Sequence, residues 1–126
     1  MQRMAKIIVT LFPGKEVDKE ELQQAAVYIF GYSQGFLNNR TNLLQGWGNK
    51  WILTDKNELG THSLFIIPQD MTGRDFIRIA TPRRLLCFTP FPRQARLQEG
   101  HTYHYSIKVH PKNIEIMWAT TTSYHP

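Results

Sequence analysis

Residues 101–109, "HTYHYSIKV", alternate apolar and polar side chains along their whole length. Successive residues of a β-strand point to opposite faces of its sheet, so a period of two requires a half-buried strand. Tyr103, Tyr105, Ile107 and Val109 share one face, and Thr102, His104, Ser106 and Lys108 share the other. Pro111-Lys112-Asn113 is turn chemistry, and "IEIMWA" reads as the returning strand, with Ile114, Ile116 and Trp118 opposite Glu115 and Met117. The segment is expected to form a hairpin that anchors the core. Ile107 lies on its buried side and His104 on its polar side, where truncation should cost under about 0.5 kcal/mol.

The rest of the chain reads as further short strands cut by turn residues. "MAKIIVTLF" is a β-branched run ended by Pro13-Gly14. In "VDKEELQQ", Asp18 followed by Glu21 fits an N-cap and capping box, which predicts one short helical turn. "AAVYIFGY" is a second strand. Residues 32–49, rich in Gly and Asn, read as loops around a hairpin at Asn38-Asn39, followed by the short strand "KWILT". "HSLFIIPQD" stops at Pro68, because proline cannot donate to a ladder. "DFIRIAT" places Ile77 and Ile79 on one face and Phe76 and Arg78 on the other, and "RLLCFT" is one more strand. With strands about 8–15 residues apart and one helical turn, the fold expected is an all-β, antiparallel, two-sheet sandwich of about seven strands. The residues expected inside are Ile7, Val9, Val27, Ile29, Leu64, Ile66, Ile77, Ile79, Tyr105, Ile107 and Ile116.

A length of 126 residues suits one domain, 1–126, with one core, and 41% apolar residues suit a folded globular chain. No apolar run approaches the roughly 20 residues that span a bilayer, and "MQRMAKIIVTLFPG" is not a signal peptide. An exported protein would draw its leader from outside this stretch. The single cysteine, Cys87, sits in an apolar context and is expected to be a packed thiol.

Candidate chemistry is sparse. His101 and His104 are three apart and point to opposite faces. His104 and His110 share a face but lie about 20 Å apart along a strand, so no local metal site is expected. No phosphate loop, nucleophile elbow or HExxH pattern is present, no cofactor is implied, and the class expected is non-enzymatic. Asp18, Glu20 and Glu21 suit a helix N-terminus better than a catalytic carboxylate pair. The triplet Asn39-Arg40-Thr41 matches the glycosylation acceptor pattern but recurs by chance.

The net charge of +5 lies in residues 71–126, which hold eight Lys and Arg against three Asp and Glu. Arg83, Arg84, Arg93 and Arg96 form its densest part. With no recognition motif beside them they read as a solvated edge, so no nucleic-acid partner is expected. They and the tryptophans Trp47 and Trp51 form the candidate ligand or partner surface, since such rings suit stacking on sugars.

Taken in order, several stretches resemble the bacterial fimbrillin-like family of pilus subunits and tip adhesins. "MAKIIVTLFPG" is similar to the strand that opens the family's second domain, and "DKEELQQAAVYIFGY" to its helical turn and next strand. "SLFIIPQ" and "FIRIAT" resemble its following strands, and "LQEGHTYHYSIKVHPKNIEI" its closing motif. The resemblance covers nearly the whole chain apart from residues 32–60. It implies a transthyretin-like sandwich, one domain of a larger two-domain subunit. It also implies joining to other pilus subunits by strand addition and a place at the cell surface or outer membrane. Export would use a leader, and attachment a lipid-bearing N-terminal cysteine, that this stretch does not contain. The alternative expectation is a secreted module that binds glycans or proteins.

Overall fold

The computed structural model describes residues 4–90 and 96–123. Among these, eleven strands and one helix follow in the order β1 (Ala5–Pro13), α1 (Lys19–Gln23), β2 (Ala26–Asn38), β3 (Leu43–Leu53), β4 (Asp55–Lys56), β5 (His62–Ile66), β6 (Gln69–Asp70), β7 (Ile77–Ala80), β8 (Leu85–Phe88), β9 (Arg96–Leu97), β10 (His101–Val109) and β11 (Ile114–Ser123). They form a five-stranded sheet, β11-β10-β1-β5-β4, a four-stranded sheet, β3-β2-β7-β8, and the small pair β6-β9. The count exceeds the seven expected because β4, β6 and β9 are two-residue pairings that no hydrophobic pattern marks.

The core lies between the two larger sheets. Ile7 and Val9 of β1 and Tyr105 and Ile107 of β10 meet Val27 and Ile29 of β2 and Ile77 and Ile79 of β7 in one cluster. The inward face read from period two is correct, with Leu64 and Ile116 only partly buried at its margin. Phe76 departs from that reading. It precedes the regular part of β7, is fully buried, and packs edge-on against Tyr105 with centroids 6.0 Å apart.

One pairing breaks the antiparallel expectation: β1 runs parallel to β10, Ile7 opposite Tyr103 and Leu11 opposite Ile107. Parallel neighbours need a long connection, and nearly the whole chain separates these two. The expected C-terminal hairpin forms, but its register shifts between Ser106 and Ile107. Ile107 faces Ile116, whereas Ser106 faces Trp118, so Met117 is the extra residue of a bulge. Trp118 is thereby turned from the expected inner face to the outer one. It is 51% exposed there, beside Phe12 at 6.1 Å.

The helical turn forms where the cap signal placed it, with the Glu21 N–H donating to Asp18 Oδ1 at 2.8 Å. The Glu21 carboxylate does not close a capping box. It is buried and accepts from Arg84 Nε at 2.6 Å, Arg84 Nη2 at 2.9 Å and the Thr81 hydroxyl at 2.6 Å. Those Arg84 hydrogen bonds hold its carboxyl below the usual range against the opposing effect of burial, and Thr81 adds to them. Cys87 is exposed rather than packed, because Ile79 opposes Leu86 and the alternate residue turns outward.

Candidate functional site

The largest departure from the sequence reading is at residues 32–49. β2 and β3 run straight through this Gly- and Asn-rich stretch as strands of 13 and 11 residues. The turn at Asn38 is held by its own side chain, whose Oδ1 accepts from the Arg40 and Thr41 N–H groups. β7 pairs with β2 only as far as Ile29, so beyond Tyr32 the two strands continue as a ribbon on their own. Both candidate tryptophans lie on β3 and face outward. Trp47 is 48% exposed and tilted against Phe36, centroids 5.6 Å apart. Trp51, four residues along the same face, is half-buried and meets Phe30 edge-on at 5.1 Å.

Two arginines cap this aromatic row. The Arg78 guanidinium lies 4.2 Å from the Trp51 ring centroid, and that of Arg74 lies 4.7 Å from Phe30. Cation–π contact of this kind holds a guanidinium in place without neutralising it. With Asp75, the four side chains line a shallow groove of about 270 Å³. The Asp75 carboxylate is engaged elsewhere, accepting from the Thr89 hydroxyl at 2.8 Å. Sequence reading missed Arg74 and Arg78 because they are isolated in the chain. Only pairing of β7 with β2, Arg78 opposite Tyr28, brings Arg78 to Trp51 and Arg74 to Phe30.

Of the four arginines singled out by density, three lie among the described residues. Arg84 is spent on Glu21, its side chain 13% exposed. Arg83 is exposed in the turn after β7. Arg96 is exposed on β9, opposite Asp70. Arg93 lies outside the described residues. Among the described members of this group, only Arg83 and Arg96 remain exposed.

Two further hollows are present. A polar cleft of about 550 Å³ is lined by Asp70, Thr72, Arg96, Gln98, His101 and Tyr103. The Tyr103 hydroxyl is held there by the Gln98 N–H at 2.7 Å and the Arg96 carbonyl at 3.1 Å. A groove of about 570 Å³ runs between the end of β1, α1 and the β4–β5 turn, with the buried His62 at its wall. Burial pushes the His62 imidazole down to about 4, and the Lys56 charge adds to the effect.

The remaining histidines among the described residues are separately engaged, and His125 lies outside them. His104 pairs with the Thr10 hydroxyl at 2.9 Å, His110 with Glu115 at 2.9 Å, and His101 with the Glu99 carbonyl at 2.7 Å. Among the described residues no three of His, Cys, Asp or Glu come close enough to share a metal ion. No helix among them is long and apolar enough to cross a membrane.

No protein-family model matches the chain, and no curated protein does. Solved structures do. A candidate cell adhesion protein from Bacteroides uniformis superposes with a TM-score of 0.80 at 14% identity, over 98% of this chain and 51% of its own. One from Bacteroides ovatus gives 0.67 at 19% identity, over 98% and 46%. The tip fimbrial protein Mfa3 from Porphyromonas gingivalis gives 0.62 at 11% identity, over 97% and 52%. The chain thus shares its β fold with adhesion and fimbrial tip proteins, and it spans about half the length of each.

Proposed function

We propose that this chain is a structural or adhesive domain of a bacterial cell-surface pilus, of the fimbrillin-like kind. The observation that carries the reading is the agreement of two independent likenesses. The ordered strand motifs of the sequence resemble that family, and the fold matches adhesion and fimbrial tip structures over 97–98% of the chain. The match to half of each longer structure suits one transthyretin-like domain of a two-domain subunit.

Such a role needs no catalytic group. It needs exposed sheet edges, since a strand added from a neighbour bonds to unpaired N–H and C=O groups. The edge strands are β11 and β4 in the first sheet and β3 and β8 in the second. β4 covers β5 only at His62 and Ser63, so the β5 edge beyond Ser63 is a candidate acceptor. Association with other subunits by strand addition, and attachment to the outer membrane through a lipid anchor elsewhere in the protein, belong to this reading.

The test is localisation. Cells producing the full protein are sheared, and the released fibres are probed with antibody against this chain. Label along or at the end of surface fibres is expected. Label confined to the cell interior overturns the reading.

A second reading, a secreted binding module, draws on the exposed aromatic ribbon of β2 and β3. It differs in outcome: the chain would be recovered free in the medium and absent from fibres.

A further inference from the structure

The groove between β2, β3 and β7 is lined by two guanidiniums, Arg74 and Arg78, against one carboxylate, Asp75, so it keeps an excess of positive charge. Neither Arg74 nor Arg78 makes an ion pair among the described residues. Arg78 Nε is buried with no hydrogen-bond partner among them. A desolvated donor on a charged group is costly to leave unmet. Asp75, the acid that lines the groove, accepts from the Thr89 hydroxyl through one oxygen and forms no ion pair with either arginine. The rings of Trp51 and Phe30 hold the two guanidiniums in place, at 4.2 and 4.7 Å, and a guanidinium fork suits a planar carboxylate gripped by two parallel N–H donors.

The same face continues into an apolar shelf. Trp47 lies four residues from Trp51 on β3, about 13 Å away at strand spacing. It and Phe36 are each 48% exposed. We propose that this face binds a carboxylate-bearing saccharide: Arg74 and Arg78 grip the carboxylate, and Trp47 and Phe36 stack on a neighbouring sugar ring. Trp51 and Phe30 act as positioning residues, fixing the guanidiniums.

The chemistry favours a glycan over a peptide or a nucleic acid. Peptide recognition by a sheet uses unpaired backbone at an edge or a groove wide enough for a helix, whereas this surface is a face offering rings and cations. A nucleic acid calls for many phosphate contacts, and two arginines supply few. The proposal deepens the adhesive reading by giving the domain a ligand class. Its test needs only the purified chain, so its failure leaves the pilus localisation result untouched.

The experiment presents the chain to an array of carboxylated, sulfated and neutral glycans of matched length, then measures affinity for the best carboxylated one by calorimetry. Retention of carboxylated glycans is expected, with the methyl ester at least about tenfold weaker, as loss of a charge-assisted hydrogen bond implies. Arg78→Lys keeps the charge but loses the fork and is expected to weaken binding by about tenfold, as is Arg74→Gln. Arg83→Gln, in the turn after β7, is expected to leave binding unchanged. Thermal melting of each variant confirms that the fold persists. Equal binding of neutral glycans or of the ester overturns the proposal. So does preference for sulfated glycans or a glutamate-rich peptide, insensitivity to both arginine variants, or no glycan binding at all.

Discussion

The chain contains two long hairpins, and they meet opposite fates. In β10–β11 the aromatic and β-branched side chains of one face vanish into the core, Tyr105 at 2% exposure and Ile107 at 0%. In the outer part of β2–β3 the same kinds of residue stand in solvent, Phe36 and Trp47 at 48%. Intrinsic strand preference does not separate them. β10 is flanked by β1 on one side and β11 on the other, and the second sheet covers its inner face. Beyond Tyr32, β2 has only β3 beside it. A two-stranded ribbon is marginal alone, and its apolar residues are left available for contact with something else.

The comparison predicts a graded response to substitution. Ile107→Ala removes a fully buried side chain at the centre of the sheet and is expected to cost roughly 2–5 kcal/mol in urea unfolding. A cost under about 1 kcal/mol would mean that β10 is not the anchor.

Gly31 marks the junction where β2 leaves the core. A Cβ there would lie 2.6 Å from Ile66 Cδ1 and 2.8 Å from the Gln69 side-chain amide. Gly31→Val is therefore expected to destabilise by roughly 1–3 kcal/mol, as overpacking does. A neutral result would show that the ribbon's base is free to shift.

His62 tests the core's edge by pH. Its folded value of about 4 lies below the ordinary 6.5, so the unfolded chain binds the proton more readily. The stabilisation is fully present above about pH 6.5 and is lost as pH falls toward 4, an expected loss of roughly 3 kcal/mol. Glu21 is lowered from 4.5 and loses its contribution only at more acid pH. His62→Leu is expected to flatten the stability profile between pH 6.5 and 5 and to leave the acid limb in place. An unchanged slope in that window would assign it to another group.

The smallest effect belongs to the ribbon. Trp47→Ala is expected to change stability by under about 0.5 kcal/mol, since its site has little packing to lose. A melting temperature reduced as far as by Ile107→Ala would erase the distinction between the hairpins.

Much of the core was legible from period two. Ile7, Val9, Val27, Ile29, Ile77, Ile79, Tyr105 and Ile107 are buried where alternation placed them, and Asp18 caps the helix it signalled. Trp118 was not legible in this way. A bulge of one residue reverses every face beyond it, and no local signal marks Met117 as the extra residue. The glycines of residues 32–49 likewise suggested loops, yet Gly35 sits in β2 where Ile67 approaches the backbone, and Gly46 sits in β3 against the Tyr32 ring. Of the candidate surface, Trp47 and Trp51 were named from the sequence without the direction of their rings being fixed by it, whereas Arg74 and Arg78 carried no local signal.

The sequence by itself therefore determined most of the core strands and the faces by which they are buried. Side-chain alternation and turn chemistry are local, and a residue's neighbours in the chain suffice to express them. The tertiary structure alone decided which strands lie side by side, that β1 runs parallel to β10, and that Arg84 is consumed by Glu21, 63 positions away. It also decided that Arg78 comes to rest on Trp51. Those outcomes depend on pairing across long stretches of chain, where burial of the whole core selects one arrangement and no single segment carries the preference.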